Sequence, residues 1–361
     1  MTRLHGMTVN GLTAGLRCST GRGKRSGGLA GLLLLTLSSL LAAQPTTSAA
    51  PAALERAVAQ RSVNEWLIRM HTASRRRAYV GTFVVSTGDS ISSSRIWHVC
   101  DGEEQVERIE SLTGAPRSTY RRNDQVVTFL PQSRVAIAEK RESLGFFPHL
   151  LQADDSTIAR YYRVTVAGSE RVAGIEADKV QLWPQDGLRY GYRVWAEKDR
   201  GLVLKLQTLD SAGHVLEQAA FSELQLDAPV SMAKLTSMMG NTEGYRVEKL
   251  EMVKIAALAE GWVFRSLVPG FEPVSCYKRL IHTAGGATSD STLQWVFSDG
   301  LAAVSLFVEP FDARRRAQPG VSASGATHSL TRRIGDWWLT AVGEVPIQTL
   351  TVFAQGLERT R

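Results

Sequence analysis

Cysteine is scarce in this chain, with 3 in 361 residues, and none are spaced C-x-x-C. That excludes a thioredoxin-like redox centre and a thiolate zinc site. No H-E-x-x-H, Walker loop or G-x-S-x-G occurs either; the nearest approach, GVSASG, lies in a polar stretch without the strand-turn-helix setting of a nucleophile elbow. His71, His98, His149, His214, His282 and His328 are scattered, with no second histidine at i+2, i+3 or i+4. Glu103-Glu104 and Asp154-Asp155 are neighbours only in sequence, at turns where carboxylates are solvated. No catalytic, metal or cofactor site is therefore expected. Acid is missing altogether from residues 1 to 43, which carry Arg3, Arg17, Arg22, Lys24 and Arg25. Also missing is an apolar run of the roughly 20 residues that a membrane span needs.

What the first residues do have is a basic start, then GGLAGLLLLTLSSLLAA, then small residues and proline in QPTTSAAPAA. A charged n-region, an apolar core of about 15 residues and a small-residue exit describe a secretory signal peptide, residues 1 to 43, with cleavage falling between 43 and 53. Export changes the charge argument. The formal net charge is +7, but five of those positive charges leave with residues 1 to 43 and +2 remains. Nucleic acid loses its electrostatic support. Cys18 leaves as well. Cys100 and Cys276 then either pair in an oxidising compartment, locking distant segments together, or stay as two small buried thiols.

Ser62 to Glu65 fits a capping box, and Val63, Trp66, Leu67 and Met70 recur at helical spacing, so a helix is expected to about Ala73. Short alternating runs follow, from AYVGTFVVST to SRVAIAEK, separated by turn-like DGEE, LTGAPR and RRND. After RESLGFFPHLLQADD, a second β-run extends to HVLEQAAFSELQL with hairpin-length connections. DAPVSMAKLTSMMGNTEG, residues 227 to 244, breaks the pattern and reads as an interdomain connection. Beyond it strands return, Ser298-Asp299-Gly300 signals a hairpin, and Ile347, Leu350, Ala354 and Leu357 line one face of a last helix after Pro346. The expected fold class is α+β: a large curved antiparallel sheet with covering helices over 54 to 226, and a smaller α+β domain over 245 to 361.

Two features rise above this background. Phe146, Phe147, Leu150 and Leu151 crowd around Pro148; they either plug the end of a sheet or form a lid over an apolar cavity that takes acyl chains. The stretch LRYGYRVW is the other. Read as a strand from Leu188, it puts Leu188, Tyr190, Tyr192 and Val194 on one face, in the core, and Arg189, Arg193 and Trp195 on the second. That second face is either long stems and rings packed over a surface, or a binding face turned to the second domain or a partner. Arg314, Arg315 and Arg316, in a polar loop, are either solvated or grip acidic groups.

Taken together, WLIRMHTASRRRAYVGTFV, QVERIESLTGAPRSTYRR, GFFPHLL, RVAGIEADKVQLWPQDGLRYGYRVWAEKDRGLVLK, GWVFRSLVPGF and AVGEVPIQTL resemble the MucB/RseB family of periplasmic regulators of an envelope-stress sigma factor. The likeness spans nearly the whole chain after the export signal. It implies an N-terminal domain similar to the lipoprotein carriers LolA and LolB, a half-barrel, and a smaller C-terminal domain. It implies binding to the periplasmic part of a membrane anti-sigma factor, RseA or MucA, which is shielded from site-1 proteolysis, and release by lipid or lipopolysaccharide. The family's RYGYR-W positions fall on Arg189 to Arg193 and Trp195, and its VGEVP turn on Val342 to Pro346. It implies no catalytic residue. A periplasmic lipid or lipoprotein carrier is the alternative, although a carrier has no need of the second domain. Homo-oligomerisation is left open by the sequence.

Overall fold

The computed structural model describes residues 63–74, 77–102, 104–140, 155–282, 288–312 and 319–360. The expected signal segment and capping residue Ser62 lie outside them. The first helix, α1 (Val63–Ser74), buries Trp66, Leu67, Met70 and Ala73, the stripe that the 3.6-residue period marks out. Strands β1 (Tyr79–Thr87), β2 (Ser90–Asp101), β3 (Glu104–Ser111), β4 (Ser118–Arg122), β5 (Gln125–Leu130) and β6 (Val135–Lys140) follow as an antiparallel meander. A short helix α2 (Asp155–Tyr161) leads into β7 (Tyr162–Val172), β8 (Ile175–Pro184), β9 (Gly191–Glu197), β10 (Val203–Leu209) and β11 (Val215–Leu226), and β11 closes back onto β1.

Residues 227 to 244, expected as a connection, contain helix α3 (Met232–Gly240), whose Ser231 side chain accepts from the Lys234 amide. Strand β12 (Arg246–Lys254) then pairs parallel with β6 on one side and antiparallel with β14 (Glu272–His282) on the other. Between them lie a 3₁₀ turn (Ala257–Glu260) and β13 (Trp262–Phe264). The C-terminal strands are β15 (Thr288–Ser298), β16 (Ala303–Pro310), β17 (Gly320–Ser324), β18 (Thr327–Ile334) and β19 (Trp337–Gly343), before helix α4 (Ile347–Gly356) and β20 (Leu357–Arg359), which pairs with β13. The 18-stranded sheet runs from β7 through β11, then β1 to β6, β12, β14, β15, β16, β19, β18 and β17. It is a large open sheet with few helices, antiparallel except at β6 and β12.

Both faces of the N-terminal sheet are covered, by different helices. On one face Tyr192, Val194 and Ala196 pack with Trp66, Met70 and Ile158 of α1 and α2. On the opposite face Val99 and Val106 pack under Leu235 of α3, and Met239 joins Tyr120 and Phe129. The C-terminal core gathers Phe271, Phe297, Leu306 and Leu339 around Leu350 and Phe353 of α4. Helix α4 ends earlier than the spacing suggests. Leu357, expected on its apolar face, is the first residue of β20 and is buried there, whereas Phe353 takes the central place. Cys100 and Cys276 sit in separate cores and form no disulfide with each other.

Candidate functional site

The side chains that join the two halves converge on the loop between β8 and β9. This loop, not the strand itself, carries Leu188, Arg189 and Tyr190, because β9 starts at Gly191. Alternation therefore sets faces only from Gly191 onward, and Leu188 packs against the C-terminal core rather than the sheet core expected for it. The exchange is mutual: Leu301, from the turn between β15 and β16, is buried in the cluster of Trp66, Tyr162 and Tyr192. Each domain thus completes the other's apolar packing with one leucine.

Between these leucines lies a buried ion pair. Arg189 Nε donates to Asp299 Oδ2 at 2.7 Å, with both side chains 0% exposed. The rest of the guanidinium fork donates to Asp186 and to the Pro269 carbonyl, and its Cζ lies 4.1 Å from the Tyr161 ring centroid and 5.0 Å from that of Phe271. Asp299 is equally occupied. The Tyr162 hydroxyl donates to Oδ2 at 3.0 Å, and the Leu301 and Ala302 amides donate to Oδ1 at 2.9 and 2.7 Å. Burial raises the Asp299 carboxyl above its ordinary value, while Arg189, the amides and the Tyr162 hydroxyl pull it back. Burial, then the Asp299 charge, raises the Tyr162 hydroxyl, which keeps its proton to donate. Gly270 has φ +79, and a Cβ there would collide with Tyr161 and Arg189. The close approach of these two segments demands glycine at that position.

Further contacts extend the seam. The Thr349 hydroxyl of α4 donates to the Leu188 carbonyl at 2.7 Å. Tyr190 and His328 Nδ1 share a hydrogen bond of 3.2 Å; burial and the Asp210 charge push the tyrosine hydroxyl up to about 12. The turn of the β17–β18 hairpin meets the end of the N-terminal sheet, where Gly325 (φ +57) leaves no space for a Cβ beside Thr87 and Leu216. Glu217 of β11 accepts there from the Ala326 amide and the Thr87 hydroxyl, yet burial still raises its carboxyl. Glu344, in the Val342–Pro346 turn, is pushed up to about 8 by burial and by the Glu217 charge.

Of the residues singled out in the sequence, Arg189 belongs to this seam. Arg193 and Trp195 do not: they lie further along β9, Trp195 is 2% exposed, and Arg193 is half-buried and donates to Gln207 at 2.9 Å. Phe146, Phe147, Leu150, Leu151, Arg314, Arg315 and Arg316 lie outside the described residues. Asp299, Tyr162, Thr349 and His328 escaped the sequence reading. Asp299 was legible only as a turn residue, and the other three carry no local signal. Among the described residues no group of His, Cys, Asp and Glu is placed to hold a metal. What the arrangement does is mechanical and electrostatic: it fixes one domain against the other.

Residues 62–239 match the model of the MucB/RseB N-terminal domain, and residues 256–358 that of the MucB/RseB C-terminal domain. The sigma factor AlgU regulatory protein MucB of Pseudomonas aeruginosa is 30% identical over 324 residues, which span 88% of this chain and 93% of the relative. The sigma-E factor regulatory protein RseB of Escherichia coli K12 is 24% identical over 297 residues, 81% of this chain and 89% of the relative. A crystal structure of MucB in complex with MucA(peri) superposes with a TM-score of 0.62 at 26% identity, covering 82% of this chain and 98% of that one. Both domains, in the same order and over nearly their full length, place the chain in the MucB/RseB family.

Proposed function

We propose that this chain is a periplasmic regulatory protein that acts by binding, without catalysis. It holds the periplasmic region of a membrane anti-sigma factor of the RseA/MucA type, shields it from site-1 proteolysis, and so keeps an envelope-stress sigma factor sequestered. Acyl chains of lipid or lipopolysaccharide relieve the hold. One observation carries the reading: a relative with both domains, matched over 82% of this chain, has been solved with MucA(peri) bound. The seam around Arg189 supports it physically, because a lipid signal needs a joint with alternative arrangements through which to act on partner binding.

The test is direct. The purified chain is titrated against the periplasmic tail of its candidate anti-sigma factor, and the tail is then offered to the site-1 protease with and without the chain. Saturable binding and slowed cleavage are expected. A tail that neither binds nor gains protection overturns the reading, and transfer of lipid or lipoprotein cargo to an acceptor membrane would instead favour a carrier.

A further inference from the structure

The sheet face turned away from α1 and α2 carries a second polar assembly, remote from the domain seam. Tyr192 and Val194 point toward the helices, so Arg193 and Trp195 point the other way. Strand register puts Lys179, Trp195 and Lys205 on one cross-strand row, and Gln181, Arg193, Gln207 and Gln218 on the next row of the same face. Adjacent strands lie about 4.8 Å apart and successive rows on a face about 7 Å apart. These groups therefore share one small patch.

The patch is over-supplied with positive charge and hydrogen-bond donors. Lys205 Nζ sits 4.3 Å and Lys179 Nζ 5.4 Å from the Trp195 ring centroid. Glu170 serves as counter-charge, and it is already engaged: it accepts from Lys179 at 2.5 Å and from the Trp195 indole at 2.8 Å. Arg193 has no carboxylate partner among the described residues; its hydrogen bond goes to neutral Gln207, whose amide donates onward to Gln218 at 2.6 Å. A guanidinium carries five N–H donors, so most of this fork is unspent. Burial, together with the charges of Lys179 and Arg193, lowers the Lys205 pKa against the pull of Glu170. Independently, Gln181 is 7% exposed, and its amide nitrogen is buried with no hydrogen-bond partner. An unpaired buried donor costs on the order of 1–3 kcal/mol unless something accepts from it.

We infer that this patch is a binding site for a single oxyanion of the phosphate or sulfate kind, held by Arg193, Lys205 and the Gln181 amide beside Trp195. A tetrahedral oxyanion offers acceptors in several directions at once, which suits donors arriving from β8, β9 and β10. It neutralises the clustered cations and supplies the acceptor that Gln181 lacks. The same chemistry is presented by free phosphate and by a phosphorylated lipid headgroup. The site stands independently of anti-sigma binding, since no residue of the seam contributes to it.

The full mature chain is titrated by calorimetry with inorganic phosphate and pyrophosphate, and floated with vesicles of phosphatidylglycerol or of phosphatidylcholine. Saturable binding of a phosphate species, or flotation with the anionic vesicles alone, is expected. R193Q and K205Q should each weaken it about ten-fold or more, and R95Q, a cation change elsewhere on the sheet, should leave it unchanged. Vesicle binding without phosphate binding assigns the anion to lipid, and the converse to a free ion; both support the site. No binding of either probe overturns it. So does binding that survives in R193Q and K205Q, provided the variants melt at the wild-type temperature.

Discussion

At the scale of single residues, Arg189 and Asp299 are not equivalent, although they form one pair. Breaking a buried ion pair by removing one partner costs roughly 3–5 kcal/mol, because the other charge is stranded. A guanidinium cannot shed its charge, whereas a buried carboxyl can take up a proton. D299N combined with D186N, which leaves the guanidinium without a carboxylate and keeps an acceptor for the turn amides, should therefore destabilise the chain more than R189M, as read from denaturant midpoints. The R189M loss should also grow with pH, since the stranded Asp299 must ionise. If the two variants lose the same stability at every pH, the asymmetry argument fails.

Glu344 allows a second residue-scale test. Its carboxyl is raised to about 8 in the fold, against about 4.3 in an unfolded chain. The folded chain therefore retains a proton that the unfolded chain has released between these values. Its contribution is fully present below the lower value and is lost as pH rises through the window toward about 8. E344Q removes this dependence. The melting temperature of the variant should fall less than that of the wild type between about pH 5 and pH 8; parallel decline in both would show that the group does not matter. His98 acts in the opposite sense: burial lowers it to about 4, so the cost of charging it appears only in acid.

At the scale of elements, what was legible followed local periodicity. Helix α1, the meander and the Ser298-Asp299-Gly300 hairpin all carry their signals within a few residues. Face assignment along LRYGYRVW held from Gly191 to Val194 and failed at Leu188, because alternation cannot reveal that a strand has not yet begun. The seam was illegible for a different reason: Arg189 and Asp299 are 110 residues apart in sequence, and no local pattern encodes such a meeting. The break in the strands at residues 227 to 244 was legible, but not the helix within it, whose i, i+4 pair Leu235 and Met239 is buried against the N-terminal sheet. Helix α3 clamps the β3–β4 side of the sheet through few side chains. L235A should cost about 2–5 kcal/mol locally, and hydrogen exchange of the α3 amides should accelerate while α4 amides stay protected. Uniform acceleration throughout the chain would instead mean that α3 unfolds only with the whole protein.

At the scale of the whole molecule, the 18-stranded sheet carries separate N-terminal and C-terminal apolar clusters, and the joint between its two halves has two unlike parts. Strand β12 joins the two halves of the sheet by backbone hydrogen bonds, while its side chains are exposed or half-buried. It can tolerate a change of angle with little loss of apolar burial. The seam of Arg189, Asp299, Leu188 and Leu301 cannot, because opening it exposes two leucines and strands a charge. Any movement of the two halves apart must therefore break the seam, whereas β12 has little apolar burial to lose. If lipid relieves partner binding through that event, the coupling is reciprocal, and bound anti-sigma peptide must weaken acyl-ligand affinity by the same factor that lipid weakens the peptide. L301A, which loosens the seam without touching Arg189, should shift the chain toward the open arrangement before any lipid is added. Its peptide affinity should fall, and its residual lipid response should shrink, both read by titrating each ligand with and without saturating amounts of the other. A variant that binds peptide as tightly as the wild type and responds fully to lipid would place the coupled element elsewhere than the seam.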